Sequence, residues 1–432
     1  MFNINNIINI LLIAILVYCG IKELKQGVFL YCFFIFFAPV FSFGSIKFSF
    51  DILSFPVLFM LYLFKSSGEI RLTKREIALV IYLIFYVIIT TVHTFRAIQY
   101  LSIINVRTYG VARFVFTLII MHNVWRGKVK TFVDRLLMLV VPLEFIVSFI
   151  QIIGLVPIEI FYKLYYKPSL TPLQEVMNEG LFRRAYGTMG TPVILGGILL
   201  FSFSYYFYKV IMEKPTKKAV IYLLLTIICS FFVLSKIPII GAPIIVLLGV
   251  FWLLTKDKKR RISNLKTLGK VMLIGIPIFA CVVMWLNARG IFINYYLRFL
   301  LKPFDALKTR YSPESGILSG TIEQIKQNFW LGLGFENTNS DVFVGDSLFV
   351  EIMYHTGFVG LILYLTPYFC AFVNLVRKNN FLGVSFIVAF MLCATAFPIT
   401  VSPYFVVFIA TVFDIEGNKS TIVINYQPIR NA

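Results

Sequence analysis

Apolar runs of about 20 residues recur along most of this chain and are separated by short polar turns. Hydrophobic residues make up 59% of the sequence and charged residues only 14%, whereas soluble domains carry about 25% charged residues. A backbone inside hydrocarbon has to satisfy its own hydrogen bonds, and a helix does so within one segment. The sequence therefore predicts an all-α, polytopic membrane protein with one transmembrane domain over residues 1–432. We expect about 12 transmembrane helices, within a range of roughly 11 to 14, and the count leaves the side of the N-terminus open.

The net charge of +20 comes largely from basic residues gathered in the short turns between apolar runs. These turns are residues 65–75, 126–135, 209–218 and 256–270. Short basic loops mark the cytoplasmic face of a membrane protein, and no RNA- or DNA-binding module accompanies the charge. The pattern therefore indicates membrane topology and not a nucleic-acid partner. The six cysteines and three histidines have no metal-ligand spacing, so we expect no metal and no cofactor.

Two long polar segments, residues 154–190 and 288–345, are expected to form large loops on the outer face. The first ends in RRAYGTMGTPVILGG, where Arg183 and Arg184 precede glycines and a helix start. Glycines allow a close backbone approach to a ligand, and amides at a helix start favour phosphate. The second loop contains Arg298 and Arg310, then a Ser/Gly turn and a short amphipathic helix in TIEQIKQNFW.

The second loop leads through a glycine-rich turn, WLGLG, into a continuous apolar helix that Asp346 and Ser347 open. A carboxylate there can act as a general base, and it can equally be the N-cap of a helix beginning at Ser347. Glu351 lies within the apolar helix, where a carboxylate is a functional candidate, and Arg113 is a conceivable partner for it. His355 is expected to pack inside the bundle rather than act as the base.

Two further cations have a structural and a functional interpretation. Arg113 lies inside the predicted span 109–121, where it either snorkels to the interface or faces the bundle interior and binds an anion. Lys236 lies at an outer turn, Ser-Lys-Ile-Pro, as an interfacial lysine or as a phosphate contact.

Three features together resemble the bacterial O-antigen ligase and O-antigen polymerase superfamily: D-S-x9-G-x-x-G from Asp346, R-x-x-G-T-x-x-x-P from Arg184, and the order of pieces in the second loop. Asp346 stands where the ligases carry His, which favours a polymerase. The chain departs from the family at Lys236 and Thr321, where relatives often place Arg. The resemblance implies a lipid-carrier glycosyltransferase (GT-C-like) architecture in the bacterial inner membrane, with both loops and the active face periplasmic. It also implies a set of site residues: Asp346, Arg184 and Arg310 as catalytic; Arg113, Arg183, Lys236, Arg298, Ser347 and Glu351 as substrate-binding.

By that resemblance the protein would be an enzyme of lipopolysaccharide biosynthesis. It would transfer a growing glycan from undecaprenyl diphosphate to the non-reducing end of an incoming lipid-linked repeat unit, without a metal and with inversion. The implied partners are the undecaprenyl-diphosphate-linked oligosaccharide, membrane lipid, a chain-length regulator and a flippase. Two alternatives stay open. One is a ligase that transfers the glycan to lipid A core, and the other is a flippase or other polysaccharide transporter, which predicts inverted repeats.

Overall fold

A computed structural model gives the architecture of most of the chain. It describes these residues: 4–43, 46–66, 69–96, 106–156, 158–165, 184–213, 215–255, 318–334, 347–399, 402–417 and 422–425, with isolated positions at 262, 266, 267, 269, 273, 275, 277, 280–285, 287, 288, 312, 316 and 344. Statements about the structure refer to these residues.

The described chain is mostly helical. The helices are α1 (Ile4–Lys22), α2 (Leu24–Phe37), α3 (Phe50–Lys65), α4 (Lys74–Arg96), α5 (Val106–Trp125), α6 (Val129–Ile153), α7 (Ile158–Tyr165), α8 (Pro192–Ile211), α9 (Lys217–Val233), α10 (Lys236–Leu254), α11 (Ser319–Gln327), α12 (Leu348–Arg377), α13 (Phe381–Ala394) and α14 (Val406–Glu416), the last preceded by a 3₁₀ turn, Pro403–Phe405. The all-α class is confirmed for this part of the chain.

Four short strands form two antiparallel pairs outside the helices. Strand β1 (Phe41–Phe43) pairs with β2 (Ile46–Phe48), and β3 (Glu69–Leu72) pairs with β4 (Ile422–Asn425). Hydropathy alone predicts a second span over the apolar residues 27–43, which is wrong at its end, because α2 stops at Phe37 and Phe41–Phe43 form β1. Phenylalanine suits a half-buried strand as well as a span, so hydropathy did not mark this boundary.

Six helices among the described residues are long and apolar enough to cross a membrane: α1, α4 (through Val92), α6, α8, α10 and α12. Helices α2 and α13 are apolar but shorter. Several of the long helices bury one side and expose large apolar residues on the other. In α4, for example, Tyr82 and Tyr86 are buried, whereas Ile81, Ile84 and Ile88 are about half exposed. Such a surface would be unstable in water and is typical of a lipid-facing belt.

Helices α8 and α14 lie at the centre of the bundle. The apolar window of α8 is 83% buried, compared with 28% for α1, and α8 packs against α9, α10 and α13. Phe201 of α8 stacks on Phe408 of α14 at 4.4 Å between ring centroids, and Phe386 of α13 meets both rings. The core is therefore held together by interlocking aromatic side chains from three helices.

Polar contacts gather at one end of the bundle, which we call the basic end because the described residues of the basic turns 65–75, 126–135 and 209–218 lie there. Glu416, at the end of α14, accepts from Arg75 at 2.7 Å and from Asn374 at 2.7 Å. Asp414 accepts from the Gly127 amide at 2.7 Å. The β3–β4 pair lies at this end as well. Two acidic side chains of α14 thus tie together the ends of α4, α12 and the α5–α6 turn.

We expect Glu416→Ala to lower the free energy of unfolding by about 3 kcal/mol, because it leaves the largely buried Arg75 guanidinium without its carboxylate. The matched control is Glu213→Ala, which removes the partner of Lys130 from a pair whose side chains are 39% and 37% exposed, and which should cost less than about 1 kcal/mol. Reversible unfolding in mixed micelles measures both. Equal losses of unfolding free energy in the two variants would show that Glu416 stabilises the bundle no more than an exposed ion pair does.

Candidate functional site

Residues Arg184–Thr191, which we call the arginine segment, lead into α8 and are held by polar side chains of α6. The Gln151 side chain accepts from the amides of Tyr186 at 3.0 Å and Gly187 at 2.9 Å, and its amide group donates to the Gly187 carbonyl at 2.9 Å. All of these groups are buried. A loop that enters the bundle needs such partners, because an unpaired buried amide costs about 1 to 3 kcal/mol.

Glu144 holds the same segment two turns earlier on α6. Its carboxyl accepts from the Thr188 amide at 3.2 Å and contacts the Thr188 hydroxyl. Gly187 lies directly against it with φ of 57°, and a Cβ there would fall 1.9 Å from Oε2 of Glu144. The positive φ favours glycine at this position of the R-x-x-G-T pattern, and the absent side chain leaves room for the buried Glu144 carboxylate.

The arginine segment brings two of the predicted cations to one turn. Arg184 donates from its guanidinium to the Leu234 carbonyl at 3.0 Å, and the Ala185 amide donates to the Phe232 carbonyl at 2.9 Å. Leu234 ends α9 in a left-handed conformation with φ of 49°, and Lys236 begins α10 two residues later. The half-buried side chains of Arg184 and Lys236 therefore flank the same α9–α10 turn. Positive charge beside a helix start favours an anionic group.

We expect Gln151→Ala to displace the arginine segment, because it leaves two buried amides and one carbonyl without the side chain that pairs them. Hydrogen exchange at Tyr186 and Gly187 should become at least about tenfold faster. Gln26→Ala is the control, since Gln26 is exposed and its side chain bonds to the nearby Glu23 on the surface. Unchanged protection at Tyr186 and Gly187 would contradict the assigned role of Gln151.

Helix α12 is interrupted at Gly357, and residues Phe329–Gly334, here the glycine turn, fill the interruption. The amides of Phe358 and Val359 would normally donate to the carbonyls of Tyr354 and His355. Instead they donate to the carbonyls of Phe329 and Trp330, at 2.8 and 3.3 Å. The freed carbonyls of Tyr354 and His355 accept from the amides of Leu333 and Gly334, at 2.7 and 2.9 Å. The predicted continuous helix is therefore wrong at this point, although no backbone group named here loses its partner.

The glycines of this region are explained by that insertion. Gly357 has φ of 64° and ψ of −166°, a conformation available almost only to glycine. A Cβ on Gly357 would lie 2.3 Å from the carbonyl of Trp330, and a Cβ on Gly332 would lie 2.6 Å from the amide of Gly357. The two backbones are in direct contact, so neither position has room for a side chain.

Gly357→Ala should therefore release the glycine turn and destabilise the protein by more than about 2 kcal/mol, from backbone strain and four lost hydrogen bonds. Gly275→Ala is the control, because nothing lies within 4 Å of the Cβ it would add. Hydrogen exchange at Leu333 and Gly334, measured with the unfolding curve, tests this. If these amides keep their protection in Gly357→Ala, the insertion does not depend on the glycine.

The start of α12 lies at the same end of the bundle as the arginine segment. Ser347, the N-cap of α12, donates from its hydroxyl to the Ala394 carbonyl at 3.3 Å at the end of α13. Cys393, which precedes Ala394 on α13, lies against Gly197 in the first turns of α8. Helix α12 therefore begins at Leu348, one residue after the predicted start at Ser347. Asp346 lies outside the described residues, so its role as base or cap stays a prediction.

Arg113 is buried in the bundle and does not snorkel. Its guanidinium contacts the carboxylate of Asp51 on α3 at 2.6 Å, and both side chains are at least 95% buried. The prediction that Arg113 faces the interior is confirmed, and Asp51 is the partner that the sequence did not single out. This carboxylate compensates the charge of Arg113 and so leaves it less suited to bind a further anion. Its substrate role stays a prediction.

Glu351 and His355 are buried on α12, against the tyrosines of α4. Glu351 is 4% exposed and interacts electrostatically with Tyr82. The His355 ring, fully buried, lies 5.9 Å from that of Tyr86 and 5.3 Å from that of Tyr354. The packing position predicted for His355 is confirmed. Glu351 therefore remains a candidate functional carboxylate within a membrane-spanning helix.

Of the predicted site residues, the structure describes Arg113, Arg184, Lys236, Ser347 and Glu351. Asp346, Arg183, Arg298 and Arg310 lie outside the described residues, so their roles stay predictions. The sequence analysis missed Glu144 and Gln151, although both interrupt an apolar helix on one face, at i and i+7. That signal alone could have identified them.

Within the described part of the chain, no group of three or more His, Cys, Asp or Glu side chains could hold a metal ion. Comparison of the chain with models of protein families and with curated proteins finds no match.

Proposed function

We propose that this protein is a glycosyltransferase of the bacterial inner membrane that polymerises lipid-linked oligosaccharide repeat units, in the manner of the O-antigen polymerases. On this proposal the bundle has about 12 spans and a GT-C-like architecture. The basic end faces the cytoplasm, following the rule for short basic loops, and the opposite end is the active, periplasmic face.

The observation that supports the proposal most is the position of Arg184 and Lys236 beside the same α9–α10 turn, at the end of the bundle where α12 begins. In the proposed reaction, the acceptor hydroxyl oxygen forms a bond to the anomeric carbon of the donor sugar. The bond from that carbon to the diphosphate oxygen breaks, and the lipid diphosphate leaves with the bonding electrons. Fixed cations stabilise this growing negative charge.

Arg184 is well suited to that task because its guanidinium is oriented in advance by the Leu234 carbonyl. An oriented guanidinium loses little freedom when it binds a phosphate, and it can form two parallel hydrogen bonds. Arg310, Arg183 and Arg298 would add to this charge from the two large loops. Asp346, just before the N-cap of α12, would take the proton from the acceptor hydroxyl.

The test is extension of a synthetic lipid-diphosphate repeat unit by the purified full-length protein. We expect Arg184→Ala, Arg310→Ala and Asp346→Ala each to lower the rate of elongation by about a hundredfold or more, since each removes charge stabilisation or proton transfer. Lys128→Ala is the control, because Lys128 is an exposed cation at the basic end and should leave the rate unchanged. Normal ladders from all three site variants would refute the site.

The extension assay, a knockout strain and a transport measurement together separate the alternative functions. A ligase would transfer the glycan to lipid A core and leave the repeat unit unextended, so that a knockout strain would make bare core. A polymerase knockout would make core with one repeat unit. A transporter would move the lipid-linked substrate across proteoliposomes without extending it, and that result would overturn the enzyme assignment.

A further inference from the structure

We propose that an anionic phospholipid binds through its phosphodiester in a pocket at the basic end of the bundle. The pocket, here the basic-end pocket, has a volume of about 420 Å³ and lies where the α1–α2 turn, the end of α3, strand β3 and the end of α5 meet. Its size falls within the range of small-molecule sites, about 300 to 1,000 Å³. It lies at the end of the bundle opposite the proposed catalytic site, and this inference does not depend on that function.

The charge of the pocket favours a single negative group. Lys25, Arg71 and Arg126 line it, against the carboxylates of Glu23 and Glu69, so three cations and two anions leave one unit of positive charge. The C-terminal ends of α3 and α5 also point here and carry partial negative charge, which the side-chain cations have to outweigh.

One wall of the pocket, strand β3, is held in place by contacts of Arg71 with α5 and β4. The Asn123 side chain accepts from the Arg71 amide at 2.9 Å and donates to the Arg71 carbonyl at 3.0 Å, which joins β3 to α5. Arg71 also pairs with Val423 in the β3–β4 register. The Arg71 guanidinium is oriented by Glu69 at 2.9 Å. A cation held in this way loses little conformational freedom on binding.

The position of the pocket selects a lipid over a soluble anion. Ile21, in the last turn of α1 before Glu23 of the pocket wall, is 52% exposed, and Phe64 of α3, two residues before Ser66 of the wall, is 44% exposed. Met60, one turn earlier on α3, is 47% exposed. Exposed apolar surface therefore continues from the pocket rim along two helices. A phosphodiester in the pocket would place its acyl chains on that surface, in the arrangement typical of basic headgroup sites at a membrane interface.

The experiment measures lipid binding by native mass spectrometry of the full-length protein, delipidated in detergent and titrated with phosphatidylglycerol, phosphatidylcholine, glycerol 3-phosphate or inorganic phosphate. The site variant is Lys25→Gln/Arg126→Gln, and the control is Lys22→Gln/Lys128→Gln. Both remove two exposed cations from neighbouring turns, but only the first pair lines the pocket. Unfolding temperatures of both variants verify that the fold is intact, and single Lys25→Gln provides a milder change.

We expect one phosphatidylglycerol to bind the wild-type protein at least about tenfold more tightly than phosphatidylcholine. The site variant should lose at least about tenfold in affinity, Lys25→Gln less, and the control less than about twofold. Equal losses in the control would overturn the site in favour of diffuse surface attraction. Equal affinity for phosphatidylcholine, or equally tight binding of inorganic phosphate or glycerol 3-phosphate, would overturn the assignment to an anionic lipid.

Discussion

A peptide group inside a membrane-spanning bundle has no water to bond with, and this constraint explains the most unusual part of the structure. Where α12 breaks at Gly357, two amides and two carbonyls lose their helical partners, at a cost of several kcal/mol if left unpaired. The glycine turn forms four hydrogen bonds with α12, one to each of these two amides and two carbonyls. The break is stable only because a second segment of backbone lies within it, and that segment fits only where no side chains intervene.

The same constraint shapes the opposite side of the candidate site. The arginine segment enters the bundle as irregular backbone, so its amides need partners that the segment cannot supply. Glu144 and Gln151 provide them from a single face of α6. The segment that carries Arg184 is therefore held in place by buried hydrogen bonds to α6. Irregular backbone at membrane depth is tolerated where protein encloses it, and such places are where transport and catalysis are usually built.

Hydropathy predicted most of the helices well, because length and apolar content leave few alternatives to a span. Apolar content predicts spans over residues 50–64, 132–153 and 191–211, and the structure has Phe50–Lys65, Val129–Ile153 and Pro192–Ile211. Hydropathy failed where the backbone bonds to a distant segment. The break at Gly357 and the β3–β4 pair each join residues far apart in sequence, and neither has a local signal stronger than a glycine or a short apolar run.

The candidate site was predictable only in part, for a related reason. The sequence identified Arg184 and Lys236 as charges near helix starts, but the α9–α10 turn that both flank is a property of packing. Asp51 was overlooked because a carboxylate near a helix start resembles a simple cap. Its role as the partner of Arg113 depends on two helices lying side by side. Charge and glycine patterns thus indicate which residues matter, whereas their partners follow from tertiary structure.

Helix α14 occupies the centre of the bundle, yet it is synthesised long after the helices that surround it. Gly127 and Asp414 bond directly although 287 residues separate them, so a ribosome takes roughly 15 to 60 seconds between the two. During that interval α5 and α6 cannot make the contacts with α14 that they have in the finished bundle. The central packing of this protein is therefore completed only after nearly the whole chain has been synthesised.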